Sequence, residues 1–395
     1  MTLPNRLAAF VEQRKQQMLY RSRRVLETPQ GAEVIVDGRP LINFSSNDYL
    51  GLANHPRIAA AFKKGIDDFG VGSGASHLVI GHSSAHYALE EQLADFVGCE
   101  RALLYSSGYM ANVGAINALT ERGGIILQDK LNHASLLDGG LLSSADMKRY
   151  NHCDTDALAL RLRKTGDAQA LVVSDAVFSM DGDIAPINRL AELCDQHQAM
   201  LMIDDAHGFG VLGDNGKGAL EHFSVTSGQV PIYMATLGKA AGVSGAFVAG
   251  EDGLIDYLIQ SSRNYIYTTA IPPANAVATS AALLVIEQEK WRREHLTKLI
   301  SQFRSELSEW ESCLMPSDTA IQPLIIGDAN QALTLSDALL QRGFLLSAIR
   351  PPTVPANTAR LRITLTAAHT ETHISQLTNV LKEMLPSIIT KQTDS

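Results

Sequence analysis

The chain has 395 residues, of which 45% are hydrophobic and 19% are charged, and its formal net charge is −9. This composition is typical of a globular protein with a large core, and the negative charge argues against nucleic acid as the main partner. The four cysteines form no CxxC pair and no run of about 18 apolar residues occurs, so we expect reduced thiols in the cytoplasm, no metal site and no membrane span.

The predicted elements begin with a helix over 5–20 and two short strands in "EVIVDGRPLINF", which turn at Asp37 and Gly38. Two helices follow, at roughly 56–69 and 84–97. From about residue 100, short apolar strands alternate with helical segments; the strands are predicted at 102–105, 124–128, 170–175, 199–204, 232–236 and 245–250. This alternation indicates an α/β fold with a mostly parallel sheet that is covered on both faces.

The C-terminal part has its own pattern. A long helical region is predicted over about 273–311, and "IQPLIIG", "FLLSAI" and "RLRITL" predict three strands with two intervening helices. We therefore predict three regions: residues 1–50 with a helix and short strands, 51–285 as the large ligand-binding domain, and 286–395 as a smaller α/β domain.

Polar residues follow five of the predicted strands, at the carboxyl edge where parallel sheets bind ligands. These residues are Ser106-Ser107-Gly108-Tyr109, Asn132-His133, Ser174-Asp175 leading to Ser179, Asp204 through His207, and Thr236 through Lys239. Lys239 lies in "ATLGKAAGVSGA", among small residues, so we expect its amine to be enclosed. Enclosure favours the neutral amine, which can attack a carbonyl group.

This set of side chains matches the needs of pyridoxal 5′-phosphate. Lys239 would form an imine with the aldehyde of the cofactor, and Asp204 would hold a proton on the pyridine nitrogen. His133 and Ala206 would contact the two faces of the ring.

The polar groups of the cofactor also have predicted partners. His207 and Ser179 offer hydrogen bonds to the ring hydroxyl. A phosphate is favoured at a helix N-terminus, where backbone N–H groups are free to donate. Its donors are predicted at Ser107, Gly108, Tyr109 and Thr236.

Each residue alone also has a simpler structural interpretation. Asp204 and Asp205 could cap a helix or form a turn. His133 could be a structural histidine at a helix start, and Lys239 could be a loop lysine. The cofactor interpretation depends on the order of these residues, each of which follows a strand.

Two glycine-rich stretches resemble nucleotide-binding motifs. "GFGVLG" (208–213) matches GxGxxG, but "DAH" separates it from the strand and helix-breaking residues follow it, so we predict no dinucleotide site. "GDNGKGA" resembles a P-loop but has Val211 at the position of the first glycine, and Gly218 stands where Ser or Thr is required.

Several motifs together resemble the α-oxoamine synthases, which are fold-type I pyridoxal phosphate enzymes. The motifs are "NFSSNDYLGL", "GSGAS", "LNHAS", "VFSMDGD", "LMIDDAHGFGVLG" and "TLGKAAGVSGA", and the resemblance covers residues 20 to 385. It implies the condensation of an amino acid with an acyl thioester and the loss of carbon dioxide.

Within that family, "SAIRPPTVPANTARLRITLTAAHT" and "AIQPLIIGD" are most similar to the branch that joins L-alanine to a pimeloyl thioester in biotin biosynthesis. The alternative is a sister activity that uses glycine with acetyl- or succinyl-coenzyme A. The resemblance does not distinguish coenzyme A from an acyl carrier protein as the carrier of the acyl group.

The resemblance also implies roles for individual residues. It makes Lys239, His133, Asp204 and His207 catalytic. The substrate contacts that it implies are Arg362 with Asn47 at the amino-acid carboxylate, and Arg21, His133 and Thr353. "YIYTTAIPPA" would carry Thr268 or Thr269 to the phosphate of the partner subunit, which places the active site at a homodimer interface.

This sequence departs from the family pattern at several positions. Gly238 stands where serine is frequent, and Asp175 stands where glutamate is usual. Ala75 and His77 lie in a glycine-rich loop near the expected path of the acyl chain.

A basic cluster lies near the N-terminus and consists of Arg14, Lys15, Arg21, Arg23 and Arg24. It is either a solvated helix face or a contact for the phosphates of coenzyme A or for an acidic carrier protein.

Overall fold

The computed structural model describes residues 3–17, 19–166 and 168–388. The first helix, α1 (Leu3–Gln16), ends earlier than predicted, and Leu19 and Tyr20 lie outside it. None of the residues of α1 is buried. Without a buried face, the helix gains little stability from tertiary packing.

The predicted hairpin is confirmed as β1 (Glu33–Val36) and β2 (Arg39–Asn43). Asp37 and Gly38 both have positive φ, at 50° and 73°, as a tight hairpin turn requires. β2 also pairs in parallel with β11 (Phe344–Leu345), so the N-terminal hairpin is hydrogen-bonded to the C-terminal part of the chain.

A seven-stranded sheet forms the centre of the molecule, in the order β3-β9-β8-β7-β6-β4-β5. Its strands are β3 (Arg101–Tyr105), β4 (Ile125–Asp129), β5 (Asp146–Tyr150), β6 (Ala170–Asp175), β7 (Met200–Asp204), β8 (Ile232–Thr236) and β9 (Ala246–Gly250). Only β9 runs antiparallel to its neighbours, so the mostly parallel sheet is confirmed. β5 was missed because "DMKRY" is a largely exposed edge strand with little apolar character.

Both faces of this sheet are covered. In β6, Ala170 and Val172 pack into one hydrophobic cluster, while Leu171 and Val173 pack into another on the opposite face. Since successive side chains point to opposite faces, a strand buried on both sides must be apolar throughout. This explains the continuous apolar run in "ALVVSD".

Helices surround the sheet, and the predicted 56–69 and 84–97 agree with the structure. They are α2 (Pro56–Phe69), α3 (Ser84–Val97), α4 (Gly108–Leu119), α5 (Ala134–Leu142), α6 (Thr155–Leu162), α7 (Ile187–Gln196), α8 (Ala219–Phe223), α9 (Asp252–Ser261), α10 (Arg263–Ile266), α11 (Pro273–Gln288) and α12 (Trp291–Glu306). The long helical region predicted over 273–311 consists of two helices, followed by a 3₁₀ turn at Ser308–Cys313.

The C-terminal part contains β10 (Ile321–Gly327), α13 (Ala329–Gln341), β11, β12 (Ser347–Ile349), β13 (Ala359–Thr364) and α14 (Glu371–Met384). "FLLSAI" is divided between two sheets: β11 joins β2, and β12 joins the antiparallel sheet β10-β13-β12. The expectation of two intervening helices was wrong. Only α13 lies between these strands, because prolines make 350–358 a turn segment and α14 follows the last strand.

The predicted boundary between residues 285 and 286 falls inside α11, and the division into three regions remains a prediction. Across the described parts of the chain, no helix combines the length and the hydropathy that crossing a bilayer requires.

Candidate active site

The parallel strands bring several polar residues to one edge of the sheet. β6 and β7 are neighbours, and their last residues, Asp175 and Asp204, are paired in register. β8 pairs with β7 on its other side, and Lys239 lies just beyond the end of β8. The strand-end rule therefore placed these three side chains in the same crevice.

Lys239 is enclosed, as predicted. Its Nζ lies 2.9 Å from Nε2 of His207, and no carboxylate of the described residues forms an ion pair with it. Burial lowers the pKa of Lys239 to about 8, although the charges of Asp204 and Asp175 oppose this shift. A lysine with such a pKa is partly neutral near physiological pH and can act as a nucleophile or a base.

Asp204 is a buried carboxylate held by two donors. Asn112 donates from Nδ2 to Oδ2 at 2.7 Å, and the backbone N–H of Ala206 donates to Oδ1 at 2.9 Å. Asn112 also donates to Oγ of Ser135 at 2.9 Å. Sequence reasoning missed Asn112, whose only signal was an amide within the small, apolar residues of α4.

His133 occupies the end of the loop after β4. It is the N-cap of α5, so the simpler interpretation as a helix start is correct for its backbone position. Its N–H donates to Oδ2 of Asp175 at 2.6 Å, and its Nδ1 lies 2.7 Å from Oγ of Ser135. Burial lowers the pKa of His133, and the charge of Asp204 opposes that shift. Its ring is thus a mainly neutral group beside the carboxylates.

Asp175 is the shorter side chain that departs from the family pattern. Burial, together with the charge of Asp204, raises the pKa of Asp175 well above its usual value, while the N–H of His133 opposes this. Asp175 therefore anchors the His133 loop.

Arg362 enters the site from β13 in the C-terminal sheet. It is 7% exposed, and it donates to the backbone oxygen of Ser179 at 2.6 Å and to Oγ1 of Thr364 at 3.1 Å. It also donates to Oδ1 of Asn47 at 3.2 Å. The structure thus brings Arg362 and Asn47 together, as expected, with Ser179 beside them.

A tyrosine that sequence reasoning missed connects these residues to Lys239. The hydroxyl of Tyr49 lies 3.2 Å from Oδ1 of Asn47 and 2.5 Å from Nδ1 of His207. Burial lowers the pKa of His207 well below its usual value, with the charges of Lys239 and Arg362 adding to the effect. Tyr49 is part of "SSNDYLG", but only the tertiary structure reveals its contact with His207.

The predicted phosphate site lies where α4 begins. Ser107 is the N-cap of α4 and accepts from the N–H of Met110. A Cβ added to Gly108 would lie 3.8 Å from Cβ of Thr236, so the helix start and the end of β8 are adjacent. Such a helix N-terminus binds anions. The side chain of Tyr109 is exposed and its hydroxyl donates to Asp138, which leaves only its backbone facing this helix start.

Four predicted residues lie apart from this cluster, with no described hydrogen bond to it. Arg21 and Thr353 line a separate cavity of about 450 Å³, which also involves Arg14 of α1. Thr269 forms a bridge with Ser76, and Thr268 precedes it in the same segment.

The "GFGVLG" stretch was predicted not to open a helix, and the structure agrees: the next helix is α8, which begins at Ala219. Its first glycine is required by packing, because a Cβ on Gly208 would lie 2.1 Å from Oδ1 of Asp205. Asp205 in turn accepts from the hydroxyl of Tyr233 at 2.7 Å and from the N–H of Ala219 at 2.6 Å. The simpler interpretation as a turn residue therefore holds for Asp205.

Comparisons with known proteins identify the family of this chain. The family model for class I and II aminotransferases matches residues 39–381. An 8-amino-7-oxononanoate synthase from Hahella chejuensis is 55% identical over 375 residues, which cover 95% of each chain.

Solved structures of known enzymes also share the fold. SPT with PLP as an internal aldimine superposes with a TM-score of 0.93 at 28% identity, covering 98% of this chain and 99% of the other. An 8-amino-7-oxononanoate synthase from Francisella tularensis has a TM-score of 0.76 at 32% identity, covering 88% and 99%. The predicted architecture of a fold-type I pyridoxal phosphate transferase is confirmed. The chain belongs to the class I and II aminotransferase family and, within it, to the family of the 8-amino-7-oxononanoate synthases.

Proposed function

We propose that this protein condenses L-alanine with a pimeloyl thioester to form 8-amino-7-oxononanoate, a step of biotin biosynthesis. The Cα of alanine forms a bond to the thioester carbonyl carbon, the C–S bond breaks, and the alanine carboxylate leaves as carbon dioxide. A proton then replaces it on Cα, and the free thiol is released. The observation that carries this proposal is the enclosed amine of Lys239 beside the buried Asp204 and Arg362, in a chain 55% identical to an enzyme of that name.

The donor set of this crevice fits pyridoxal 5′-phosphate. Lys239 offers an amine of lowered pKa to the aldehyde, and Asp204 offers a buried carboxylate to the pyridine nitrogen. The start of α4, next to Thr236, offers a helix N-terminus to the phosphate. His207 and Ser179 would donate to the ring hydroxyl, and His133 and Ala206 would contact the ring faces. When bound, the cofactor supplies an electron sink that stabilises negative charge on the amino-acid Cα.

The protein itself would orient the substrate and move its proton. Arg362 is buried, and a guanidinium group can bind a carboxylate through two parallel hydrogen bonds, so it would fix the carboxylate of alanine. Lys239 would take the Cα proton as general base, because its pKa of about 8 leaves a useful fraction neutral. Neutral His133 would polarise either the thioester carbonyl or the carboxylate.

The acyl donor would approach along the cavity lined by Arg14, Arg21 and Thr353. The basic residues there would attract the phosphates of coenzyme A or an acidic carrier protein. Reversing Arg23 and Arg24 to glutamate should raise the apparent KM for the thioester at low salt. An unchanged KM would leave these two residues as part of a solvated surface.

We also propose a homodimer, in which Thr268 or Thr269 donates to the phosphate in the partner's site. Thr269 is exposed, and its segment packs on the glycine-rich loop through the bridge to Ser76. The four free thiols, at Cys99, Cys153, Cys194 and Cys313, are consistent with a protein that works in the cytoplasm.

A substrate panel tests the proposed function. Alanine, glycine and serine are each combined with pimeloyl-, acetyl- and succinyl-coenzyme A, and the released thiol and the product are measured. We expect turnover with alanine and the pimeloyl thioester to exceed that of every other pair. A preference for glycine would favour the sister activity instead.

A further inference from the structure

A continuous series of hydrogen bonds joins the two ends of the candidate site. Lys239 lies 2.9 Å from Nε2 of His207, and Nδ1 of the same ring lies 2.5 Å from the hydroxyl of Tyr49. That hydroxyl lies 3.2 Å from Oδ1 of Asn47, which also accepts from Arg362 at 3.2 Å. The amine and the guanidinium group are thus connected through three intervening side chains.

We propose that Tyr49 is a positioning residue whose hydroxyl fixes the ring orientation of His207 and pairs with Nδ1 in either tautomer, and thereby links the charge of Lys239 to the amide that Arg362 contacts. This inference deepens the proposed function and rests on it for the roles of Lys239 and Arg362. Tyr49 itself is only 1% exposed, so water cannot replace its hydroxyl in these contacts without entering the core.

The number of available protons restricts how the hydrogen bonds can run. The ring of His207 is neutral, so it carries one proton, and Tyr49 also has one proton but two neighbours that can accept it. When Lys239 is an ammonium group, it donates to Nε2. Nδ1 then carries the ring proton and donates to Tyr49, and Tyr49 donates to Asn47.

When Lys239 is neutral, the direction can reverse. Nε2 then carries the ring proton and donates to Nζ of Lys239, and Tyr49 turns its proton from Asn47 to Nδ1. Apart from the hydrogen bond with Arg362, which both arrangements share, the phenol oxygen takes part in two hydrogen bonds in the first arrangement but in only one in the reversed arrangement, which only a neutral Lys239 allows. Removing the hydroxyl therefore destabilises the charged lysine more, and the pKa of Lys239 should fall.

The other groups that influence the amine stay in place when the hydroxyl is removed. The ionisable and charged groups facing Lys239 are Asp175, Asp204, Asp205, Arg362, His133 and His207. The hydroxyl of Tyr49 also forms a hydrogen bond with Arg362, whose guanidinium group is held independently by Ser179, Thr364 and Asn47. Tyr49→Phe therefore keeps the ring volume and the charge of each of these groups, so a shift in the pKa of Lys239 reports on the hydroxyl.

The test measures the reactivity of Lys239 in the full-length, cofactor-free chain. An amine-reactive acylating reagent is applied in trace amounts from pH 6 to 11, and mass spectrometry quantifies the modified Lys239 peptide. We expect the unmodified sequence to titrate near 8, and Tyr49→Phe to titrate lower by about half a pH unit or more.

Tyr105→Phe is the matched control. Tyr105 is 2% exposed and its hydroxyl donates to Oγ of Ser262 at 3.0 Å, away from this series of hydrogen bonds. The control should leave the titration of Lys239 unchanged. A larger shift in Tyr105→Phe than in Tyr49→Phe would mean that loss of any buried hydroxyl disturbs the site, and would overturn the proposal.

The outcomes separate this proposal from the proposed function. If Lys239 titrates near 8 in both the natural chain and a folded Tyr49→Phe variant, the role of Tyr49 is contradicted while the amine site remains. If Lys239 titrates near 10.5 in the natural chain, the amine site itself is contradicted. Should Tyr49→Phe not fold, Asn47→Ala provides a second test. It removes the amide oxygen that accepts from Tyr49 when Lys239 is charged, so the pKa of Lys239 should again fall. An unchanged pKa in that variant would contradict the proposal.

Discussion

Two buried clusters of ionisable side chains lie at the same edge of the central sheet, yet their charges are arranged in opposite ways. In the first cluster, Lys239 forms no ion pair among the described residues, and its pKa is lowered to about 8. In the second, His152 lies between Asp129 at 3.1 Å and Asp183 at 2.7 Å. Although burial lowers it, hydrogen bonds with these two carboxylates raise the pKa of His152 to about 12.

The two clusters differ in whether the buried basic group has carboxylate partners. His152, with carboxylates on both sides, stays charged and holds its neighbours in place. Lys239, whose amine contacts neutral His207, has a lowered pKa and remains reactive. The second cluster also includes Asp181, which accepts from Arg360 of β13. It therefore fastens the 178–184 loop between the central sheet and the C-terminal sheet, close to where Ser179 meets Arg362.

Removing the amine of Lys239 should reduce activity more than any other substitution. Lys239→Ala should lower kcat by about 10³-fold or more, because no other group can replace it as nucleophile and base. Turnover is measured as thiol release with alanine and pimeloyl-coenzyme A. Lys130→Ala, which removes an exposed lysine at the end of β4, serves as the control and should retain full activity.

Asp204→Asn tests the carboxylate of the same cluster. The variant should retain the cofactor but exchange the α-proton of alanine about 10²-fold more slowly, because an amide cannot hold the ring-nitrogen proton as a carboxylate does. Proton exchange is followed by NMR in deuterium oxide. A near-normal exchange rate would mean that Asp204 has only a structural role, and that the contrast between the clusters is weaker than described.

His152→Gln tests the paired cluster. Removing the imidazolium leaves the buried carboxylate of Asp129 and the partly buried one of Asp183 without this counter-charge, so the free energy of unfolding should fall by about 2–4 kcal/mol. The kcat of the folded variant should stay within about threefold of the natural value. Urea denaturation gives the first quantity, and exposed His222, changed to Gln, provides the control. A large loss of kcat without loss of stability would place His152 in the chemistry instead.

A smaller effect is expected in how the contribution of His152 to the free energy of unfolding depends on pH. The folded pKa of His152, about 12, lies above the ordinary value of 6.5, so its contribution to stability is complete below pH 6.5 and declines as pH rises. The stability difference between the natural chain and His152→Gln should therefore narrow by about 1 kcal/mol or more from pH 6 to pH 9.

Lys239 should show the opposite slope. Its folded pKa of about 8 lies below the ordinary 10.5, so the natural chain should gain stability relative to Lys239→Ala as pH rises through that interval. The same urea titrations measure this difference. Parallel slopes for the two variants would contradict the distinction between paired and unpaired clusters.

Much of the site was predictable because parallel strands end at one edge. That rule brought Asp175, Asp204 and Lys239 together from the strand pattern alone. The same rule identifies Asp129, which ends β4. It does not predict that Asp129 pairs with His152. Charge pairing depends on distances of a few ångströms, which strand order does not determine.

The rest depended on contacts between distant parts of the chain. Tyr49 meets His207 across 158 positions, and Asn112 reaches Asp204 from the interior of α4. Arg362 was identified from family resemblance, since nothing in the local pattern of β13 marks one buried arginine as a ligand. The strand β5 was missed for a local reason, because an exposed edge strand has few apolar residues to mark it.

Lys239 is proposed to be the amine that binds the cofactor aldehyde. The most direct test is to load the chain with pyridoxal 5′-phosphate, reduce it with sodium borohydride, digest it, and locate the modified peptide by mass spectrometry. We predict that the phosphopyridoxyl group is attached to Lys239 alone. Attachment to another lysine, or no attachment at all, would contradict the account.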